Sequence, residues 1–136
     1  MKKKHKRIII IFTLLIFFLM VGYYLIHYTV YIGSAKSGDL TFIHNENNIS
    51  DTLSEQDLLK MKKMFNWEMT YMDAPSCGFL EEVSVKFDDS HTFYFACDTC
   101  PIVYWKEKNT YFNISEKEQK ELYEMLGRYG FYFPCV

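Results

Sequence analysis

The sequence predicts an α+β fold: an N-terminal transmembrane helix, then a small antiparallel β-meander of three or four strands flanked by two helices. Three observations carry this. Residues 8–32 form an uncharged apolar run, hydrophobicity alternates with period two from Val83 to Phe112, and stripes of helical period follow Ser54 and Ser115.

The run "IIIIFTLLIFFLMVGYYLIHYTVYI", residues 8–32, has His27 as its only titratable group below the tyrosine range. About twenty apolar residues cross the bilayer hydrocarbon as a helix, so this run predicts a signal anchor held in the lipid bilayer. Tyr23, Tyr24, Tyr28 and Tyr31 gather toward its far end, where amphipathic rings favour the membrane interface. Residues 1–7 hold Lys2, Lys3, Lys4, Lys6 and Arg7, a basic tail expected to stay cytoplasmic and to send the C-terminal part outside. The competing reading is a cleaved signal peptide, with Gly33-Ser34-Ala35 as small residues at a cleavage position and a secreted product. Signal-peptide apolar regions usually run about 7–15 residues, and the greater length here favours retention. No cysteine precedes Cys77, so no residue is placed to accept a lipoprotein lipid.

Charge is divided unevenly. All 17 acidic residues lie from Asp39 onward, and residues 8–136 carry a formal charge of about −7. A nucleic-acid partner is excluded as an expectation, because phosphate neutralisation needs a basic footprint.

Residues 33–50, "GSAKSGDLTFIHNENNIS", read as a linker with one short apolar patch from Leu40 to Ile43. Residues 51–136 read as the outer α+β domain. Ser54 caps the first helix, Glu55 and Asp57 suit its positive end, and Leu53 and Leu58 have the spacing of a hydrophobic staple. Leu58, Met61 and Phe65 share one face, and the helix fades near Asn66. Pro75 and Gly78 mark a loop around Cys77. Val83, Val85 and Phe87 alternate with Ser84 and Lys86 in a first strand, a turn follows at residues 88–91, and "TFYFAC" makes the second. Asp98-Thr99 is expected as a two-residue hairpin loop, "IVYW" as strand three, Lys108-Asn109 as a turn and "TYFNI" as strand four. Ser115 with Glu118 forms a capping box for the second helix. Leu122, Met125, Leu126 and Tyr129 form its apolar stripe, and Gly130 ends it. "FYFPCV" is expected to pack back on the sheet.

Four cysteines, Cys77, Cys97, Cys100 and Cys135, all lie in the outer domain. An even count outside the cytosol favours two disulfides, and a small core benefits from such a staple. A two-residue loop sets Cys97 opposite Cys100, with Cys77 entering at the same end of the sheet, so Cys77 and Cys135 are expected each to bond one member of the 97/100 pair. Two alternatives compete. A thiol–disulfide oxidoreductase would use Cys97 and Cys100, but Pro101 and a strand follow, leaving no helix dipole to depress a thiol pKa, and Asp98 opposes thiolate formation. Four thiolates could instead hold zinc, although such sites usually have two C-x-x-C pairs and only one is present.

Other signatures are weak. The histidines are scattered, and His91 reads as a solvated turn residue rather than a ligand or base. Adjacent carboxylates at Glu81-Glu82 and Asp88-Asp89 have poor acid–base geometry, since neighbours on a strand face opposite ways. Asn48 and Asn113 begin Asn-Ile-Ser sequons, but the Lys, Ile, Asn, Tyr and Phe content suits an AT-rich bacterial genome, so these are read as chance. A sheet face carrying Tyr94, Trp105 and Phe112 is expected as a partner surface if helices cover only the opposite face. In architecture alone the chain resembles the small single-span exported proteins of low-GC Gram-positive bacteria. The expectation is therefore a non-catalytic binding, sensing or accessory module without cofactor, held at the membrane and facing a protein or envelope partner.

Overall fold

The computed structural model describes residues 2–44, 47–96 and 100–131. Its first element, α1 (Lys2–Tyr28), exposes its apolar side chains all round, and the stretch Lys4–Tyr28 is long and apolar enough to cross a membrane. From Ile8 to its end the helix covers about 30 Å at 1.5 Å per residue, the thickness of a bilayer's hydrocarbon. It stops four residues short of the end of the apolar run. Thr29, Val30, Tyr31 and Ile32 are β-branched or aromatic, types that lose side-chain freedom in a helix and accept extended backbone.

Beyond the helix the architecture is α+β, as expected, with more strands than expected. The remaining elements are β1 (Gly38–His44), β2 (Asn47–Thr52), α2 (Glu55–Phe65), β3 (Phe79–Phe87), β4 (Thr92–Ala96), β5 (Ile102–Trp105), β6 (Thr110–Asn113) and α3 (Glu116–Arg128). The six strands form one antiparallel sheet in the order β2-β1-β3-β4-β5-β6. Strands β3 to β6 are the predicted meander. The two extra strands come from the stretch read as linker: Leu40 and Phe42 sit opposite Val85 and Val83 and are buried with them. Strand β2 is an edge whose mostly polar residues gave no apolar period to read.

Both later helices form where the caps predict them. The Ser54 side chain accepts from the Asp57 N–H, and Ser115 with Glu118 makes a complete capping box. Gly130, at φ 85°, takes the left-handed conformation. Its N–H donates to the Gly127 carbonyl, and the Phe131 N–H donates to the Leu126 carbonyl, which is a Schellman end.

Leu58, Met61, Met64 and Phe65 of α2 and Leu122, Met125 and Leu126 of α3 bury against one face of the sheet. That face carries Leu40, Phe42, Val83, Val85, Phe87, Phe93, Phe95, Val103, Trp105 and Phe112. Phe65 is the hub, with ring centroids 5.3 Å from both Phe93 and Phe112. Val30, Ile32 and Ala35, from the segment that follows α1, complete the same core.

Two carboxylates clamp distant segments. Asp57 accepts from the Tyr129 hydroxyl at 2.8 Å and from Arg128 Nη2 at 2.6 Å, tying the start of α2 to the end of α3. Burial pushes its carboxyl up, but hydrogen bonds from Tyr129, Ser54 and Arg128 and the Arg128 charge outweigh that and hold it below the ordinary 3.8. Asp88, in the β3–β4 turn, accepts from the Lys36 N–H at 2.8 Å, and that bond holds its carboxyl low as well.

Phe65→Ala is expected to destabilise the full chain in detergent micelles by about 3–5 kcal/mol in a urea titration, the usual cost of deleting a buried ring. A loss below about 1 kcal/mol would remove Phe65 from the centre of the core. Because Asp57 and Asp88 are depressed in the folded state, their stabilisation is complete above the ordinary 3.8 and is lost as pH falls through their lower folded values. Denaturation midpoints should therefore fall below pH 4, and Asp57→Asn should flatten that acid limb relative to the native chain.

Candidate functional site

Three regions of the domain carry chemistry or exposed surface: the junction with α1, the loop edge that holds the cysteines, and the sheet face turned away from α2 and α3.

The junction is built from backbone. The Val30 N–H donates to the Glu68 carbonyl at 2.9 Å, and the Trp67 N–H donates to the Val30 carbonyl at 2.8 Å. The Thr70 N–H reaches the Tyr28 carbonyl at 2.9 Å, and Thr29 bridges Met69. Residues 28–32 thus pair antiparallel with residues 66–70, and Asn66 adds a side-chain bond to the Ile32 N–H at 2.7 Å. The end of α1 is capped as well. Thr29 Oγ1 donates to the Leu25 carbonyl, and Lys108 Nζ donates to the carbonyls of Ile26 at 3.0 Å and His27 at 3.4 Å. Lys108 also lies 4.5 Å from the Trp105 ring centroid. Burial pushes its ammonium pKa down.

Lys62 Nζ donates to the carbonyls of Gly33 and Ala35, and Asp89 accepts from Ser34 Oγ at 3.1 Å. His91, expected as a solvated turn residue, is partly buried and sits 2.7 Å from Asp89, beside the Trp105 ring. The Asp88-Asp89 turn therefore binds the segment that follows α1. The backbones of Glu81 and Glu82 lie in β3.

At the cysteine edge, Cys77 is bonded to Cys100, with Cα atoms 6.3 Å apart. Cys77 lies in the loop before β3 and Cys100 just before β5, so the bond staples two loops at one end of the sheet. Cys97, Cys135 and the expected Asp98-Thr99 loop lie outside the described residues. The pairing on either side of that loop still bears on it. Phe95 faces Val103, whereas a two-residue loop requires Phe95 to face Ile102. The β4–β5 register is offset by one residue from the expected one, and Cys100 has Cys77 as its partner. Bonded to each other, Cys77 and Cys100 do not present metal-binding thiolates. Among the described residues no group of three or more His, Cys, Asp or Glu is gathered for a metal.

That one-residue difference corrects the expected partner surface. Shifting a strand by one residue turns every side chain to the other face. Trp105 and Phe112, 2% and 0% exposed, lie in the core with Phe93. Tyr94 is on the opposite face, stacked on Tyr104 at 5.9 Å, and is itself only 7% exposed. Tyr104 packs on Tyr111 at 5.0 Å, and Phe79 and Tyr71 extend the row. Thr41, Ser84, Lys86, Thr92, Lys106 and Glu107 flank Tyr94 across a shallow depression. Tyr104 and Tyr111 could have been found in the sequence by the same alternation that placed Phe93, had the β4–β5 register been right. The part Lys108 plays leaves no sequence signal, because it depends on where the β5–β6 turn meets α1.

Replacing both Cys77 and Cys100 with Ser should lower unfolding stability by about 3 kcal/mol, the loop-closure value for a cross-link of this span. Intact mass after alkylation without reductant should show Cys77 and Cys100 blocked in the native chain; free thiols at both positions would remove the staple. No protein-family model, curated protein or solved structure matches this chain, so its own residues carry the functional reading.

Proposed function

We propose that this is a single-pass membrane protein of a bacterial envelope, with its N-terminus in the cytoplasm and its stapled α+β domain outside as a non-catalytic binding, sensing or accessory module. One observation carries the choice of a retained anchor over a cleaved signal. Val30, Ile32 and Ala35 are fully or almost fully buried in the domain core, and residues 28–32 pair with residues 66–70. Cleavage near Gly33-Ser34-Ala35 would strip Val30 and Ile32 from that core and remove the backbone partners of Trp67, Glu68 and Thr70. The folded domain is built around the segment that such cleavage would discard. The basic residues ahead of the span support the orientation, and the Cys77–Cys100 bond supports an oxidising compartment.

The binding reading draws on the sheet face opposite the helices, where the half-buried Tyr104 and Tyr111 lie beside the buried Tyr94 and are bordered by Lys, Glu and Thr side chains that offer hydrogen bonds. A module of this kind uses its disulfide as architecture. An oxidoreductase would need Cys100 to exchange partners.

In membranes from the producing cell, the chain should resist carbonate extraction at its full mass. Its domain should be digested by protease added from outside. Cys77–Cys100 should stay oxidised in a glutathione buffer. Release by carbonate, or a mass starting near Lys36, would overturn the anchor; ready exchange with glutathione would overturn the non-catalytic reading in favour of the oxidoreductase.

A further inference from the structure

Most of the exposed large apolar side chains beyond α1 are gathered in one place. Among the described residues these are Tyr31, Ile43, Leu59, Trp67, Met69 and Met72. Ile43 and Leu59 stand apart, on β1 and α2. The other four surround the mouth of α1, and Trp67 and Met72 are 62% and 74% exposed. Trp67 packs at a tilt against Tyr31, ring centroids 5.3 Å apart, and shares a groove with Gly22, Leu25 and Ile26. Met72 lines a second groove with Tyr23, His27 and Tyr28. These side chains therefore reach back along α1 to the level of Gly22 and Tyr23, about 9 Å before the helix ends at 1.5 Å per residue.

Trp67 has φ 73°, a left-handed backbone costly for a bulky residue. Several of the loop's backbone polar groups are already paired. The N–H groups of Trp67, Thr70 and Tyr71 and the carbonyls of Glu68 and Tyr71 are all bonded within the protein. Exposed apolar tips carried on a partly paired backbone lower the cost of seating a segment at the lipid interface. Trp and Tyr are also the residues favoured at headgroup depth.

We propose that the 67–72 loop is a second membrane contact, with Trp67, Met69 and Met72, together with Tyr31, seated in the outer-leaflet interface beside α1. The occupant of the collar is lipid because its surface is continuous with that of the spanning helix. The domain then lies on the bilayer rather than standing above it. This rests on the anchored reading of α1, and the two are tested separately.

The chain has two tryptophans, and the second, Trp105, is buried in the core. The full-length protein is reconstituted into phosphatidylcholine–phosphatidylglycerol vesicles with or without lipids brominated high on the acyl chain. Native emission should fall in the brominated vesicles, while Trp67→Phe, left with Trp105 alone, should lose none. Quenching of Trp67 by aqueous acrylamide but not by brominated lipid overturns the proposal. Phe18→Trp in the Trp67→Phe background reports on α1 independently, through lipids brominated near the chain end. Quenching there without quenching at Trp67 overturns the collar alone. No quenching there overturns the anchor, and the Trp67 signal still decides the collar.

Discussion

A helix end leaves four carbonyls without intrahelical partners, and in or near lipid water is a poor substitute. In α1 these belong to Leu25, Ile26, His27 and Tyr28, and each is met by the residues that follow. Thr29 takes the first, Lys108 the next two, and the Thr70 N–H the last. The positive Lys108 also sits at the negative end of the helix dipole. This demand accounts for much of the surrounding geometry. The β5–β6 turn must come to the mouth of the helix to deliver Lys108, so β6 lies near it, and the Tyr71 bridge to Tyr111 ties the 66–71 loop to the same strand.

The core answers a related constraint. A sheet with one strongly apolar face needs a cover, and α2 and α3 supply it over Phe93, Phe112 and Trp105. The segment after α1 enters beneath α2, with Lys62 and Asn66 holding its carbonyls and N–H groups from above. Asp88 and Asp89 hold it from the β3–β4 turn. Lys62, Asn66 and Asp88 act on the backbone of this segment, and Asp89 holds its Ser34 hydroxyl.

Elements governed by local chemistry were legible in the sequence. The apolar run, both caps, the Gly130 end and strands β3 to β6 follow from side chains within a few positions of each other. What could not be read depends on partners far along the chain. Strands β1 and β2 look like linker because Gly, Asn, Asp and Ser dominate them; only pairing with β3 makes Leu40 and Phe42 core residues. Residues 29–32 are as apolar as the helix before them, and their departure from it is set by the strand formed with residues 66–70. The candidate surface failed for a narrower reason: a one-residue offset in the β4–β5 register decides whether Tyr94 shares a face with Trp105 or with Tyr104. Which cysteine Cys77 meets is likewise a matter of where loops end.

The paired segment at residues 28–32 leaves no slack between helix and sheet. A flexible tether would let the domain swing while the helix tilts beneath it; here helix and domain share one rotation. A helix tilts when its apolar length exceeds the local bilayer thickness. The tyrosine face would then change its angle to the membrane as thickness changes, with no movement inside the domain. With α1 held in a bilayer as proposed, thickness would become a coordinate that this chain expresses as orientation.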